Sequence, residues 1–166
     1  KVMRIFEWTN KNIRKVPEGF PVVDDHILNI IIRGYGTPDQ SADTFCNLCE
    51  YAGMPAKWAF VRLPNSRKSI VLSLVSLNNG WRVFDTYYGN YFLNKNKEIA
   101  SVEDIINDFS PIEQAKNKPV INGIEYKEYF NGLKNLTERQ MWKRAKAQMP
   151  LSRLKYEIKK IFSNSR

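Results

Sequence analysis

Two hydrophobic periods divide this chain. Val2, Ile5, Phe6, Thr9 and Ile13 recur at three- and four-residue spacing, while Arg4, Glu7, Lys11 and Arg14 fall largely off that stripe; the pattern predicts a packed surface helix. Pro17 and Gly19 end it, and Phe20-Pro21-Val22-Val23 reads as an extended connector. Ile27-Leu28-Asn29-Ile30-Ile31-Ile32, preceded by Asp24, Asp25 and His26, is apolar but too short for its period to separate helix from strand. The stretch from Gly34 to Ala56 carries clear punctuation. Thr37 can cap a helix, Pro38 suits the first helical position, Gln40 completes a Thr-x-x-Gln capping box, and Asp39 complements the dipole in the first turn. Ala42, Phe45, Leu48, Cys49 and Ala52 then keep the helical period, and Gly53 stands where a left-handed C′ residue belongs.

Beyond Ala56 the period drops towards two. Lys57 to Leu63 and Ser69 to Leu77 read as strands joined by the turn Pro64-Asn65-Ser66-Arg67. Within the second strand, Ile70, Leu72 and Leu74 share one face, and Ser69, Val71, Ser73 and Val75 share the other. Asn78-Asn79-Gly80 is a hairpin signal leading to a third strand, Trp81 to Tyr87, and Tyr91-Phe92-Leu93 predicts a short strand at an edge. Helices packed on an antiparallel sheet make this an α+β fold. Ser101 with Asp104 opens a capped helix to Phe109, Ser110 to Pro119 reads as a polar loop, and the aromatic stretch Tyr126 to Leu133 leaves its class open. Thr137-Glu138-Arg139-Gln140 predicts another capped helix that Pro150 must end, and Leu151, Leu154, Ile158, Ile161 and Phe162 predict a last one to about Phe162.

A Gly-x-x-Asp-Gln-x-Ala helix start, the Ala52-Gly53-Met54-Pro55-Ala56 exit, a strand pair, and Trp81-Arg82-Val83-Phe84-Asp85 followed by Gly89 together resemble the transglutaminase-like domain of the papain-like superfamily, over roughly residues 30 to 95. The resemblance implies that fold, and implies a helix for the apolar run at Ile27. In that family a nucleophilic Cys opens the helix, a His begins a later strand, and an Asp after a Trp orients the His. Here the Cys position falls on Pro38 and the His position on Ser69, and only the Asp position is retained, as Asp85. The family's chemistry needs a thiolate at a helix N-terminus and an imidazole to carry protons, and Pro38 offers neither nucleophile, nor base, nor N–H. The motif is therefore a fold signature without its activity, a degenerate member lacking the catalytic Cys and His.

Composition changes the picture in one place. Hydrophobic residues make up 43% of 166, which excludes a disordered chain and fits one substantial core. No apolar run approaches the roughly 18 residues of a membrane span, and no signal peptide is readable. Residues 134–166 hold 10 Lys/Arg against 2 Asp/Glu, whereas residues 1–133 hold 16 against 15, so nearly all of the formal charge of +9 lies in the last fifth. The division expected is a transglutaminase-like domain over 1–133 and a basic helical extension over 134–166. Its Lys143, Arg144, Lys146, Arg153, Lys155, Lys159 and Lys160 form a candidate surface for an anionic membrane or an acidic partner. No recognition motif accompanies this charge and no aromatics interleave it, which argues against nucleic acid.

The remaining chemistry-bearing residues each have a plain alternative. Cys46 and Cys49 form one Cys-x-x-Cys, but they lie two turns inside a helix, and His26 is the single imidazole, so buried thiols are favoured over a redox pair or a metal site. A cysteine enzyme, an acyl transferase or amidase, would have to join one of them to His26, which otherwise serves as a cap. Where the triad would converge, Tyr35, Thr37, Asp39, Ser69, Ser73, Asp85 and Tyr87 define a candidate cleft for a peptide, glycan or protein partner. The function expected is a non-catalytic binding module, with the displaced-cysteine enzyme and a scaffold domain of a larger envelope-associated protein as alternatives. No cofactor or metal is implied.

Overall fold

The N-terminal stripe forms α1 (Val2–Asn12), which buries Val2, Phe6 and Thr9, with Ile13 buried just beyond it, in a computed structural model that describes residues 1–22, 26–78 and 80–144. β1 (Arg14–Lys15) follows, then α2 (Ile27–Arg33), the helix implied for the apolar run, and β2 (Tyr35–Gly36), which pairs parallel with β1. His26 caps α2: its Nδ1 accepts the Leu28 N–H at 3.2 Å. Asp24 and Asp25 lie outside the described residues.

Next comes α3 (Pro38–Tyr51), bounded as its punctuation predicts. The Thr37 N–H donates to Gln40 Oε1 at 3.1 Å, and Pro38 takes the first turn, where a missing N–H costs nothing. At the other end Gly53 adopts φ +80°, so the Met54 N–H reaches Cys49 O at 2.9 Å and the Gly53 N–H reaches Glu50 O at 3.0 Å. This pair of bonds satisfies carbonyls that the last turn leaves open, and it requires the left-handed residue.

β3 (Ala56–Arg62), β4 (Ser69–Leu77), β5 (Gly80–Asp85) and β6 (Asn90–Tyr91) continue as an antiparallel meander, with Arg62 opposite Ser69, Leu77 opposite Gly80 and Asp85 opposite Asn90. The fold is completed by α4 (Val102–Asn107), α5 (Ser110–Glu113), the hairpin β7 (Val120–Ile121) and β8 (Ile124–Glu125), a long 3-10 helix (Tyr126–Asn135), a 3-10 turn (Glu138–Gln140) and β9 (Met141–Trp142). The main sheet has the order β6-β5-β4-β3-β9, so the short Asn90–Tyr91 strand is an edge, and β4 is central.

Period two on β4 feeds two cores. Ile70, Leu72 and Leu74 meet Val83, Phe92, Ile105, Tyr129 and Phe130 on one face; Val71 and Val75 meet Phe6, Phe45 and Phe84 on the other. Helices cover both faces, which is why β4 is buried on alternate residues and also between them. Phe45 lies 5.2 Å from Phe84 and 5.9 Å, edge to face, from Phe6, locking α1 and α3 to the sheet.

Two departures from expectation, and the class of one segment that the sequence left open, follow from tertiary contacts. The helix expected from Thr137 to Pro150 is, over its described residues, a single 3-10 turn and a strand. Half of its capping box forms, with the Thr137 N–H on Gln140 Oε1 at 2.9 Å, but the Thr137 hydroxyl donates to that same oxygen at 3.1 Å; Met141 and Trp142 pair with Ala59 and Trp58, and the Trp142 ring stacks on Trp58 at 5.7 Å. An open strand edge and a large ring outweigh helix propensity. The loop at Ser110 to Pro119 contains the short helix α5, because Pro111 and Ile112 are drawn into the core. Tyr126 to Leu133 is 3-10 helix, its near-threefold turn placing Tyr126, Tyr129, Phe130 and Leu133 inward. The helix expected from Leu151 lies outside the described residues, as do Lys146, Arg153, Lys155, Lys159 and Lys160. No helix among the described residues is long and apolar enough to cross a membrane.

Candidate functional site

The N-terminus of α3, the start of β4 and the end of β5 meet at one pocket of about 260 Å³. Each arrives there for a local reason. The capped first turn of α3 presents Pro38 and Asp39; the register that sets Ser69 opposite Arg62 puts Ser69 at the strand's open end; β5 ends at Asp85, where the chain turns through Tyr87 and Tyr88. Five of the positions read from the sequence thus share its wall: Pro38, Asp39, Ser69, Asp85 and Tyr87.

Three others do not. Tyr35 faces elsewhere, with Arg33 over its ring at 5.2 Å and Phe20 against its edge at 5.6 Å. Thr37 is a cap residue whose hydroxyl donates to Asp39 Oδ1 at 2.6 Å. Ser73 is fully buried, on the same face of β4 as Ser69 but beneath α3 and against Cys46. The wall is completed by residues that were not singled out beforehand: Phe60, Ile70, Val71, Tyr88, Ile121 and Asn122. Ile121 and Asn122 come from the β7–β8 turn, where Asn122 and Gly123 both take positive φ, +52° and +77°. Asn-Gly between Val120-Ile121 and Ile124 is a hairpin signal legible in the sequence itself.

Asp85 is the most constrained group in the pocket. Its Oδ1 accepts the N–H groups of Tyr87 at 3.1 Å and Tyr88 at 3.0 Å, and its Oδ2 accepts the Tyr126 hydroxyl at 2.5 Å. Tyr126 Oη in turn accepts from Asn90 Nδ2 at 3.3 Å, while Asn90 and Asn117 exchange bonds at 2.7 and 3.0 Å. Burial pushes the Asp85 carboxyl up to about 6, against the pull of those hydrogen bonds and of Lys15. Lys15 Nζ sits over the rings of Tyr88 and Tyr87, at 4.4 and 5.1 Å from their centroids.

The two thiols lie on the buried face of α3, in the core. Cys46 Sγ donates to Lys57 O at 3.2 Å, and Cys49 is fully buried. Burial, with Glu50 beside it, pushes the Cys49 thiol up to about 12; burial, with Cys49 close by, raises Cys46 well above the ordinary thiol range. Both are held as thiols at neutral pH, the unreactive form. In the folded protein we expect iodoacetamide at pH 8 to leave both cysteines unmodified for as long as full alkylation takes in denaturant, as followed by mass spectrometry. Rapid native alkylation of either one, abolished by His26→Ala, would restore a nucleophile to the chain.

Of the basic residues expected to face an anionic surface, the two described ones have partners in the chain: Lys143 Nζ lies 2.8 Å from Glu50 Oε1, and Arg144 lies 3.5 Å from the buried Asp43 Oδ2. Asp43 also accepts from Trp58 Nε1 at 2.9 Å and Asn47 Nδ2 at 3.0 Å. Among the described residues, no group of three or more His, Cys, Asp and Glu side chains gathers to hold a metal.

The sequence matches no family model and no curated protein. A solved structure shares part of the shape. It is a Cytophaga hutchinsonii protein described as a "Putative Cysteine Protease", similar over 51% of this chain and 30% of that one, at 17% identity and a TM-score of 0.42. The matched part therefore spans under a third of that protein's length.

Proposed function

We propose that this chain has a transglutaminase-like fold whose cleft has kept its shape and lost its chemistry, and that it binds an extended peptide or glycan there without turning it over. One observation carries the proposal: Pro38, Ser69 and Asp85, the three positions matched on the resemblance to Cys, His and Asp, line a single pocket although they are 31 and 16 residues apart in sequence. At the helix N-terminus, where a thiolate would be stabilised, there is a proline ring. Where the imidazole would stand there is a serine hydroxyl. The carboxylate that would orient the imidazole receives three hydrogen bonds from Tyr87, Tyr88 and Tyr126. What is left is a recess with the rings of Phe60, Tyr87 and Tyr88 and a few polar groups at its edge. Ring faces beside convergent polar atoms suit the flat faces of sugars and the side chains of extended peptides.

The alternative of a cysteine enzyme built on a displaced thiol has less support, since its thiols are buried and its imidazole is spent on capping α2. The test is an NMR titration of the full chain with panels of short peptides and of oligosaccharides. Shifts confined to Asp39, Ser69, Tyr87, Tyr88 and Asn122, with no product formed, are expected for at least one class. If neither panel moves these signals, or if a peptide or amide is cleaved at a rate that Asp85→Asn abolishes, the proposal fails.

A further inference from the structure

A second opening, of about 500 Å³, lies between α1 and α3, away from the pocket of Pro38 and Asp85. Ile5 and Trp8 line it from one side, and Leu48, Tyr51 and Ala52 from the other, with Arg4 at the rim. Trp8 is 40% and Tyr51 47% exposed, so two large rings flank an apolar slot that is open to water. Scattered apolar residues on a surface need no explanation, but a continuous slot between two helices does.

The chain itself is led to this region. Trp142 stacks on Trp58 of β3, and the next two residues close onto α3, Lys143 pairing with Glu50 and Arg144 with Asp43. Tyr51 adjoins both anchors: Glu50 precedes it, and burial together with the Asp43 carboxylate holds its phenol above the ordinary range. After Arg144 another 22 residues remain, and their apolar positions Leu151, Leu154, Ile158, Ile161 and Phe162 are spaced as one helical stripe. Six residues, 145–150, reach at most about 20 Å when extended. Twelve helical residues measure about 18 Å, and α1 and α3, at 11 and 14 residues, are each of comparable length.

We propose that the groove between α1 and α3 is the docking site of the chain's own residues 151–162, with their apolar stripe seated between Trp8 and Tyr51. Anchors at i, i+3, i+4 and i+7 suit such a slot. Tethering favours this occupant over a second copy, because a short linker holds the segment at an effective concentration in the millimolar range. The charge pairing of Lys143 and Arg144 with acids on α3 is the start of the same seam. Arg153, Lys155, Lys159 and Lys160 would then face outward from a helix whose apolar side is already covered.

The experiment is methyl and aromatic NOE spectroscopy on the full chain, at two protein concentrations a factor of ten apart. Contacts from the Leu154 and Ile158 methyls to the Trp8 and Tyr51 rings are expected at both. Leu154→Asp combined with Ile158→Asp is expected to erase them and to move the Trp8 indole signal, leaving the Asp85 and Tyr126 signals in place as a check on folding. Absent contacts in the parent chain overturn the proposal, whatever the variant does. So do contacts that appear only between differently labelled copies, which make a second copy the occupant. Anionic phospholipid vesicles that take up the tail while Trp8 and Tyr51 stay unmoved overturn it as well, with a membrane as the occupant.

Discussion

Gly132→Ala is expected to cost about 3 kcal/mol, the upper part of the usual range for forcing extra volume into a packed site. For a chain of this length, that cost lowers the midpoint of thermal unfolding by roughly 6–12 °C. Gly132 lies in the 3-10 helix where that helix crosses β3, and a Cβ there would come 2.1 Å from the carbonyl oxygen of Arg62 and 2.9 Å from its carbon. Neither partner can retreat. β3 is hydrogen-bonded along both edges, to β4 and to β9, while the 3-10 helix is pinned on either side of Gly132 by the buried Tyr129, Phe130 and Leu133. Gly53→Ala supplies the contrast: its Cβ meets nothing within 4 Å, and only the positive φ of +80° opposes it, worth about 1 kcal/mol. Thermal and urea unfolding of the two variants side by side would check the ranking. Equal losses would mean that the 3-10 helix can lift from the sheet.

That close crossing shows where the sequence stops being informative. Local chemistry specifies the ends of α3 almost completely: Thr37, Pro38 and Gln40 at one end and Gly53 at the other act within a few residues of themselves. The strand pairs are equally local, since a turn sets the register and period two assigns the faces. Depth is not local. Ser69 and Ser73 share a face of β4, yet four residues of strand separate them by roughly 13 Å; the first lines the pocket while the second lies beneath α3. Parity on a strand assigns a side, and only the packed helix decides which residues of that side see solvent. The segment that becomes β9 departs from its propensity for the same kind of reason, because Trp58 and the open edge of β3 are far from it in sequence. Likewise Tyr126, the partner that commits Asp85, is 41 residues away, and no motif joins the two.

That pairing makes Asp85 the site of the second large effect. Asp85→Ala is expected to destabilise the protein by about 3–5 kcal/mol, because it strands two backbone N–H groups and the Tyr126 hydroxyl in the interior, at about 1–3 kcal/mol for each orphaned group less some relaxation. Asp85→Asn should behave differently. The amide oxygen can still accept from Tyr87 and Tyr88, and its NH₂ can donate to Tyr126 Oη in place of the bond now received. Removing the charge has a defined pH signature. In the folded protein this carboxyl titrates at about 6, raised from an ordinary 3.8, so its contribution to stability is fully present below pH 3.8 and is lost as the pH rises through 6. The loss amounts to about 3 kcal/mol. Asp85→Asn escapes it, so the stability of the variant relative to the parent should climb by about that amount between pH 4 and pH 6 and then level off, as measured by urea unfolding across the range. Parallel curves for the two proteins would mean that Asp85 is ionised and well solvated in the folded state, free to serve a partner. A rising difference would mean that the fold holds Asp85 against its own preference for charge. On the proposed binding role, a carboxylate held in that way by Tyr126, Tyr87 and Tyr88 would be part of the pocket's frame, and a bound peptide or glycan would be met by the rings and by Asp39 and Ser69.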